Sequence, residues 1–196
     1  MCVEREIEFK TLLTEADYKR LIDRFAISDQ DFFTQVNVYY DTENLDLTQQ
    51  KCALRIRMKD GKYILTLKEQ GNRSNLETNQ TLHSDEATSL HTNGLLPPGP
   101  VRTRLRELNI QEPLYAVTQI VTKRAEIPYR GQRLFFDQST YEGVTDYELE
   151  LEATNYETGQ EVFESLLTDL GISYRPSHPK IYRALTQKKK RYDDDD

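Results

Sequence analysis

Acidic residues occupy every second position near the start of the chain. The segment VEREIEFK, residues 3–10, has glutamate at positions 4, 6 and 8 and mostly apolar residues between them. Successive side chains of a β-strand point to opposite faces of the sheet. The segment therefore predicts a strand over residues 3–12 with one acidic face and one largely apolar face.

Similar runs of alternating or apolar residues, bounded by turn residues, predict strands along most of the chain. Asp60-Gly61 is a typical hairpin turn between two of them. So many strands in hairpin order favour an antiparallel sheet that is large enough to close on itself. The predicted strands are 3–12, 32–41, 52–59, 62–69, 75–82, 114–127, 133–140 and 146–154.

Helix signals flank the strands and interrupt them once. Thr14, with Asp17 three residues later, is typical of a helix start, and Gly171 is typical of a helix end. The helices are predicted after Thr14, from Ser84 to Gly94, and over 101–109, 158–170 and 178–188. Because strands are predicted on both sides of residues 84–111, this region is interpreted as a helical insertion within the sheet.

Length and charge limit the domain organisation and the partners. The 196 residues suit one large domain, predicted over 1–188, followed by a charged and disordered tail over 189–196. The net charge is −7, and the four terminal aspartates leave only −3 on the remainder. A chain with this balance is not expected to hold nucleic acid by broad charge attraction.

The sequence predicts neither a membrane span nor a signal peptide. No apolar run approaches the roughly 18 residues that span a membrane, and the N-terminus lacks the apolar core of a signal peptide. Cys2 and Cys52 have neither CxxC spacing nor a secretory context, which favours reduced thiols. We therefore expect a soluble, cytoplasmic protein without a membrane partner.

The charged faces of the predicted strands are segregated by sign. A solvated sheet face also alternates, and alternation alone leaves that alternative open. A solvated face, however, usually mixes signs so that cross-strand pairs attract. Here the first and last strands carry Glu6, Glu8, Glu148, Glu150 and Glu152, whereas the middle strands carry Arg55, Arg57, Lys59 and Lys68.

These two sets of side chains suit a metal-bound polyphosphate. Glutamate oxygens are ligands for Mg²⁺ or Mn²⁺, which also share phosphate oxygens. Arginine offers a planar fork to phosphate, and lysine offers a point charge. If the acidic and basic faces turn toward a common lumen, the sequence predicts a site for a highly anionic ligand that chelates metal.

The residues Glu6-Ile7-Glu8-Phe9-Lys10 resemble the ExExK signature of CYTH domains, also called triphosphate tunnel metalloenzymes. This family groups class IV adenylyl cyclases, thiamine triphosphatases and bacterial inorganic triphosphatases. The chain is most similar to its small stand-alone bacterial members, and the resemblance runs from residue 4 to about 187. It continues in family order through YYDTENLDL, ALRIRMKDGKYILTLKEQ, TKRAEI, LFFDQSTYEG, DYELELE and HPKIYRAL.

The resemblance implies a fold and a metal site. The expected fold is α+β: a closed eight-stranded antiparallel β-barrel, or tunnel, with charged side chains inside and helices packed outside. The expected cofactor is Mg²⁺ or Mn²⁺, held by Glu6, Glu8, Asp137 and an ExE pair in the last strand. Glu150 and Glu152 fit this pair best. Because Glu148 shares their face, the register stays open by two residues.

The resemblance also implies the remaining site residues. Glu6, Glu8, Lys10, Glu150 and Glu152 fall on catalytic positions of the family. One departure occurs at Thr122, where the family often has lysine or arginine. The phosphate-binding positions fall on Lys10, Arg55, Arg57, Lys68, Arg124, Lys180 and Arg183.

The reaction implied by the resemblance is metal-dependent hydrolysis of a triphosphate. Tripolyphosphate is the favoured substrate, with thiamine triphosphate and nucleoside triphosphates as alternatives. Two other functions stay open: an adenylyl cyclase that makes cyclic AMP from ATP, and a non-catalytic module that binds polyphosphate or nucleotide. The sequence gives no indication of the oligomeric state.

Overall fold

The computed structural model describes residues 2–194. Eight strands form a closed antiparallel barrel in the order β1-β5-β4-β3-β2-β6-β7-β8, and six helices lie mostly outside it. The predicted α+β barrel is therefore confirmed. Within residues 2–194, no helix is both long enough and apolar enough to cross a membrane.

The strands lie where the alternating pattern predicts them, and none of their ends differs from the prediction by more than two residues. This agreement is expected because period-two alternation is visible in the local sequence. The strands are β1 (Cys2–Leu13), β2 (Phe32–Asp41), β3 (Cys52–Lys59), β4 (Lys62–Glu69), β5 (Asn75–Leu82), β6 (Tyr115–Tyr129), β7 (Gln132–Tyr141) and β8 (Val144–Ala153).

Five of the six helices in the described residues lie where the sequence predicts them. The short helix α2 was not predicted, and it forms because the buried Asp41 carboxylate accepts backbone N–H bonds from Leu47 (2.9 Å) and Thr48 (3.0 Å). A 3-10 turn over Asp29–Asp31 was also not predicted. The helices are α1 (Glu15–Arg24), α2 (Asp46–Gln49), α3 (Ser84–Asn93), α4 (Pro100–Glu107), α5 (Tyr156–Leu170) and α6 (Lys180–Asp194).

The end of the chain differs from the prediction of a disordered tail over 189–196. Helix α6 continues to Asp194, while residues 195–196 lie outside the described residues. Two features favour the longer helix. Its sequence contains no glycine or proline after Lys180, and Lys188 Nζ donates a hydrogen bond of 2.7 Å to the Val117 carbonyl.

The chain forms two compact units. The first unit contains residues 36–120 together with both ends of the chain, and the second contains residues 6–35 and 121–179. In the first unit, one face of β2–β5 is covered by α2, α3 and α4. Its core includes Val38, Leu54, Ile56, Leu65 and Leu67 from the strands, and Leu47, Ala87, Leu90, Val101 and Leu105 from the helices.

The second unit is built in the same way from most of β1 and β6 and all of β7 and β8. Helices α1 and α5 cover one face of these strands, so the opposite face is left for polar side chains. The core includes Leu134, Phe136, Leu149 and Leu151 from the strands, and Leu21, Phe163, Leu166 and Leu170 from the helices.

Candidate active site

The polar face of the second unit aligns charged side chains from three neighbouring strands. Arg124 on β6 lies opposite Asp137 on β7, and Asp137 lies opposite Glu148 on β8. Side chains directly opposite each other in an antiparallel pair lie close together. The register therefore places one arginine and two carboxylates in a single row across the strands.

Three carboxylates converge at this row. Asp137 and Glu148 are fully buried and Glu150 is 7% exposed. An oxygen from each of the three lies within 4.8 Å of the others. At this distance and an effective dielectric of 20, each ionised pair repels by about 3 kcal/mol. Nearby positive charge relieves this repulsion.

Arg124 provides part of this positive charge. Its Nε and Nη2 donate to Asp137 Oδ1 and Oδ2, both at 2.6 Å, and Nη2 also donates to Glu150 Oε2 at 2.6 Å. Burial by itself would lower the pKa of Arg124, but the attraction of Asp137 and Glu150 raises that pKa well above its ordinary value. The guanidinium is thus held in its charged form.

An aromatic ring lies on the same polar face. The Phe135 ring is buried and has the Arg124 guanidinium carbon 4.5 Å from its centroid and the Arg133 carbon 5.4 Å from it. Arginine binds favourably over such a ring through the cation–π interaction. The contact with Phe135 therefore helps to hold the Arg124 guanidinium in place.

Glu152 lies outside the three-carboxylate cluster. Its Oε1 accepts a hydrogen bond of 2.5 Å from Arg133, which also pairs with Glu126 at 3.3 Å. The strand register places Glu152 opposite Glu8 on β1. Of the three glutamates in the last strand, the structure thus groups Glu148 and Glu150 with Asp137, and it pairs the Glu152 side chain with Arg133.

The ExExK residues lie on β1, on the same face. Lys10 Nζ donates to Glu8 Oε1 at 3.1 Å, and both side chains are mostly buried. Lys10 lies opposite Glu150 in the strand register. Glu6 lies two residues before Glu8, so the alternation gives the two glutamates the same face.

Glu148 has a further partner that the sequence did not indicate. The Ser177 hydroxyl donates a hydrogen bond to Glu148 Oε2. Ser177 lies in the segment that precedes α6, 29 residues away in the chain. No local pattern identifies such a contact.

Thr122 and Ser139 form a neutral pair next to the charged row. Their hydroxyl oxygens are 3.0 Å apart, and both residues are buried. Thr122 therefore places an uncharged hydroxyl two residues from Arg124, at the position where the family resemblance leads one to expect a cation.

The first unit contains the predicted cations of the middle strands. Arg57 Nε donates to Asn37 Oδ1 at 3.1 Å. Arg55 Nη2 and Lys68 Nζ each lie 3.9 Å from Glu77 Oε1, and Lys68 faces Glu77 directly across β4 and β5. The side chains of Arg55, Lys68 and Glu77 are each at least three-quarters buried. Glu77 was not among the predicted site residues, because assigning its partner requires the register of β4 and β5.

Lys180 and Arg183 belong to the first turn of α6 in the same unit, and both are half-buried. Their spacing of three residues places them on one side of the helix. Both predicted phosphate-binding residues of this segment therefore lie on the same side of α6.

A divalent cation fits the carboxylate cluster of the second unit. Its donors are all oxygen, the ligand type that Mg²⁺ and Ca²⁺ prefer. Opposite oxygens of an octahedral Mg²⁺ site are about 4.2 Å apart, twice the metal–oxygen distance. Because the oxygens of Asp137, Glu148 and Glu150 already lie within 4.8 Å of one another, small side-chain rotations would suffice for coordination.

Comparison with known proteins assigns the family. A profile of the CYTH domain matches residues 4–185. The chain therefore belongs to the CYTH domain family, as the resemblance of its motifs predicted.

Several individual proteins are similar over nearly the whole chain. YjbK of Bacillus subtilis (strain 168), provisionally named a triphosphatase, is 38% identical over 191 residues, which are 97% of this chain and 99% of that protein. The crystal structure of a Bacillus halodurans protein, provisionally named an adenylate cyclase, is 40% identical with a TM-score of 0.90, covering 93% of this chain and 98% of that one. HpAC1 of Hippeastrum shares the fold at 22% identity and a TM-score of 0.71, over 93% and 95% of the two chains.

Proposed function

We propose that this protein is a divalent-metal-dependent triphosphatase and that its substrate is inorganic tripolyphosphate. The observation that carries the proposal is the buried cluster of Asp137, Glu148 and Glu150, with oxygens within 4.8 Å of one another. Burial of three carboxylates is costly unless cations accompany them. A site that concentrates oxygen donors in this way suits a metal that is bound together with phosphate.

In this proposal the carboxylates hold the metal. Asp137, Glu148 and Glu150 bind one Mg²⁺ or Mn²⁺, and Glu6 and Glu8, with Glu152 opposite Glu8 in the register, provide a second set of ligands. When bound, such a cation neutralises phosphate charge and lowers the pKa of a coordinated water. Lys10, paired with Glu8 at 3.1 Å, keeps that carboxylate in a fixed orientation.

The basic residues orient the phosphates in this proposal. Arg55, Arg57 and Lys68, on one face of β3 and β4, donate to phosphate oxygens, as do Lys180 and Arg183 on α6. Fixed donors of this kind stabilise the charge on the equatorial oxygens in the transition state of phosphoryl transfer. In the second unit, Arg124 is a further phosphate ligand in this proposal and exchanges a carboxylate partner for a phosphate oxygen.

The names of two relatives support different reactions. YjbK, 38% identical, is provisionally named a triphosphatase, whereas the Bacillus halodurans protein, 40% identical, is provisionally named an adenylate cyclase. The cyclase is therefore the second candidate. We favour hydrolysis because it needs only the carboxylates and cations of the described polar faces. A cyclase also needs an adenine pocket, which the sequence does not reveal.

The proposal is tested by the products formed from three substrates. Purified protein is incubated with tripolyphosphate, thiamine triphosphate or ATP, each with Mg²⁺ or Mn²⁺, and orthophosphate and cyclic AMP are measured. We expect orthophosphate release, fastest from tripolyphosphate and abolished by EDTA. Cyclic AMP as the main product from ATP would establish the cyclase, and tight tripolyphosphate binding without turnover would establish a binding module.

Two variants test the residue roles. Glu8→Gln and Arg57→Ala should each lower turnover at least a hundredfold while the circular dichroism spectrum stays unchanged. Matched controls are Glu161→Gln on the exposed side of α5 and Arg130→Ala in an exposed turn, and both should keep normal turnover. Near-normal hydrolysis by a folded Glu8 or Arg57 variant would contradict the assigned role.

A further inference from the structure

The carboxylates of the acidic cluster are held by different parts of the second unit. Arg124 donates to Asp137 and Glu150, whereas Ser177 donates to Glu148 through its hydroxyl. Glu148 is fully buried, so the orientation of its carboxylate depends on such contacts. Ser177 uses Oε2 of Glu148.

The backbone near Ser177 is fixed to β1. The Arg175 N–H donates to Thr11 Oγ1 at 2.8 Å, and the Arg175 carbonyl accepts from Thr11 Oγ1 and from the Leu12 N–H, both at 3.2 Å. Thr11 is fully buried. Three hydrogen bonds thus anchor the chain two residues before Ser177.

The strand register relates this anchor to Glu148. Leu12, which bonds the Arg175 carbonyl, lies directly opposite Glu148 in the pairing of β1 with β8. Because the Leu12 N–H bonds Arg175, it points away from β8, and the anchored segment lies one strand from Glu148. The Ser177 hydroxyl spans this distance. Pro176, between the anchor and the serine, has a fixed φ and reduces the freedom of this link.

We propose that Ser177 is a positioning residue for metal binding, which holds Glu148 so that its second carboxylate oxygen can coordinate the divalent cation. This inference rests on the proposed function, because it takes the cluster of Asp137, Glu148 and Glu150 as the metal site. Hydrogen bonds to ligating carboxylates orient them, and loss of such a partner typically weakens metal binding about 10- to 100-fold.

The test measures Mn²⁺ binding without substrate. Free Mn²⁺ is followed by electron paramagnetic resonance during titration of the full chain, and thermal unfolding checks that each variant is folded. Ser177→Ala should weaken Mn²⁺ binding about tenfold. Ser177→Thr keeps the hydroxyl and should bind Mn²⁺ with nearly the affinity of the wild type. Ser173→Ala, an exposed serine of the same segment, is the matched control and should bind like the wild type.

A double variant shows whether Ser177 acts through Glu148. In the Glu148→Gln background, Ser177→Ala should change Mn²⁺ affinity no further, because its partner carboxylate is already gone. An additional tenfold loss in that background would overturn the inference, as would wild-type affinity in Ser177→Ala alone. If the wild type itself binds no Mn²⁺, the metal site of the proposed function fails instead.

Discussion

Arg124 donates one hydrogen bond to each oxygen of Asp137, both at 2.6 Å. Bidentate pairs of arginine and carboxylate are among the strongest ion pairs in proteins. The same guanidinium also reaches Glu150. Arg124 therefore occupies hydrogen-bonding positions on two of the three carboxylates to which the proposed metal would bind.

Replacing Arg124 should destabilise the protein and make its stability depend more strongly on Mg²⁺. Arg124→Gln leaves Asp137 and Glu150 buried without their charged partner, which typically costs about 3–5 kcal/mol. Added Mg²⁺ should recover more stability in this variant than in the wild type, because a ligand that binds only the folded state stabilises it. Urea unfolding with and without Mg²⁺ measures both effects.

Arg133→Gln is the control for this prediction. Arg133 contacts the same Phe135 ring but is 54% exposed and pairs with Glu152 and Glu126. Its loss should cost no more than about 1 kcal/mol, as is typical of exposed ion pairs. Equal losses in the two variants would contradict the special position of Arg124.

Lys68 and Glu77 should have opposite effects on anion binding. A unit charge about 5 Å from a phosphate contributes about 1–3 kcal/mol between dielectric constants of 80 and 20, so a change of about tenfold is expected. Lys68→Gln should weaken tripolyphosphate binding by that factor, and Glu77→Gln should strengthen it. Calorimetry without divalent metal measures both, with the exposed Lys62→Gln on the same strand as the control. Weaker binding in Glu77→Gln would mean that Glu77 orients Arg55 and Lys68 rather than merely offsetting their charge.

The buried thiol of Cys52 should make stability fall at alkaline pH. Burial, together with the nearby Glu69, raises the pKa of Cys52 from 9.0 to about 11. The unfolded chain thus loses this proton at lower pH than the folded protein does, and the stabilisation is complete below pH 9 and is lost as the pH rises toward 11. The difference in unfolding free energy between the wild type and Cys52→Ala should therefore shrink by at most about 3 kcal/mol over this range. A difference that is independent of pH would contradict the assignment.

Gly159 should resist replacement although it lies within a helix. A glycine-to-alanine change in a helix interior normally stabilises by about 0.5–1 kcal/mol. Here the new Cβ would lie 2.4 Å from Ala153 Cβ and 2.7 Å from Phe9 Cε2, so α5 would have to move away from β8. We expect Gly159→Ala to lower the free energy of unfolding by about 1–3 kcal/mol. Thermal unfolding tests this, with Glu161→Ala on the exposed side of α5 as a control that should be neutral.

The candidate site could be predicted only in part. The strand faces that carry Glu8, Arg57 and Glu150 follow from alternation, because side-chain direction in a strand depends on position parity alone. Alternation does not show which of Glu148, Glu150 and Glu152 lie near Asp137, because all three point to the same face of β8. Only the pairing of β7 with β8 places Asp137 opposite Glu148.

The sequence by itself determined the eight strands, most of the helices and the charged faces, because these depend on periodicity and capping within a few residues. The tertiary structure alone decided which charges meet: Arg124 with Asp137 and Glu150, Lys68 with Glu77, and Ser177 with Glu148. These contacts join residues between 9 and 29 positions apart. Their geometry depends on strand register and on the path of the chain around the strands, and neither property is encoded in a local pattern.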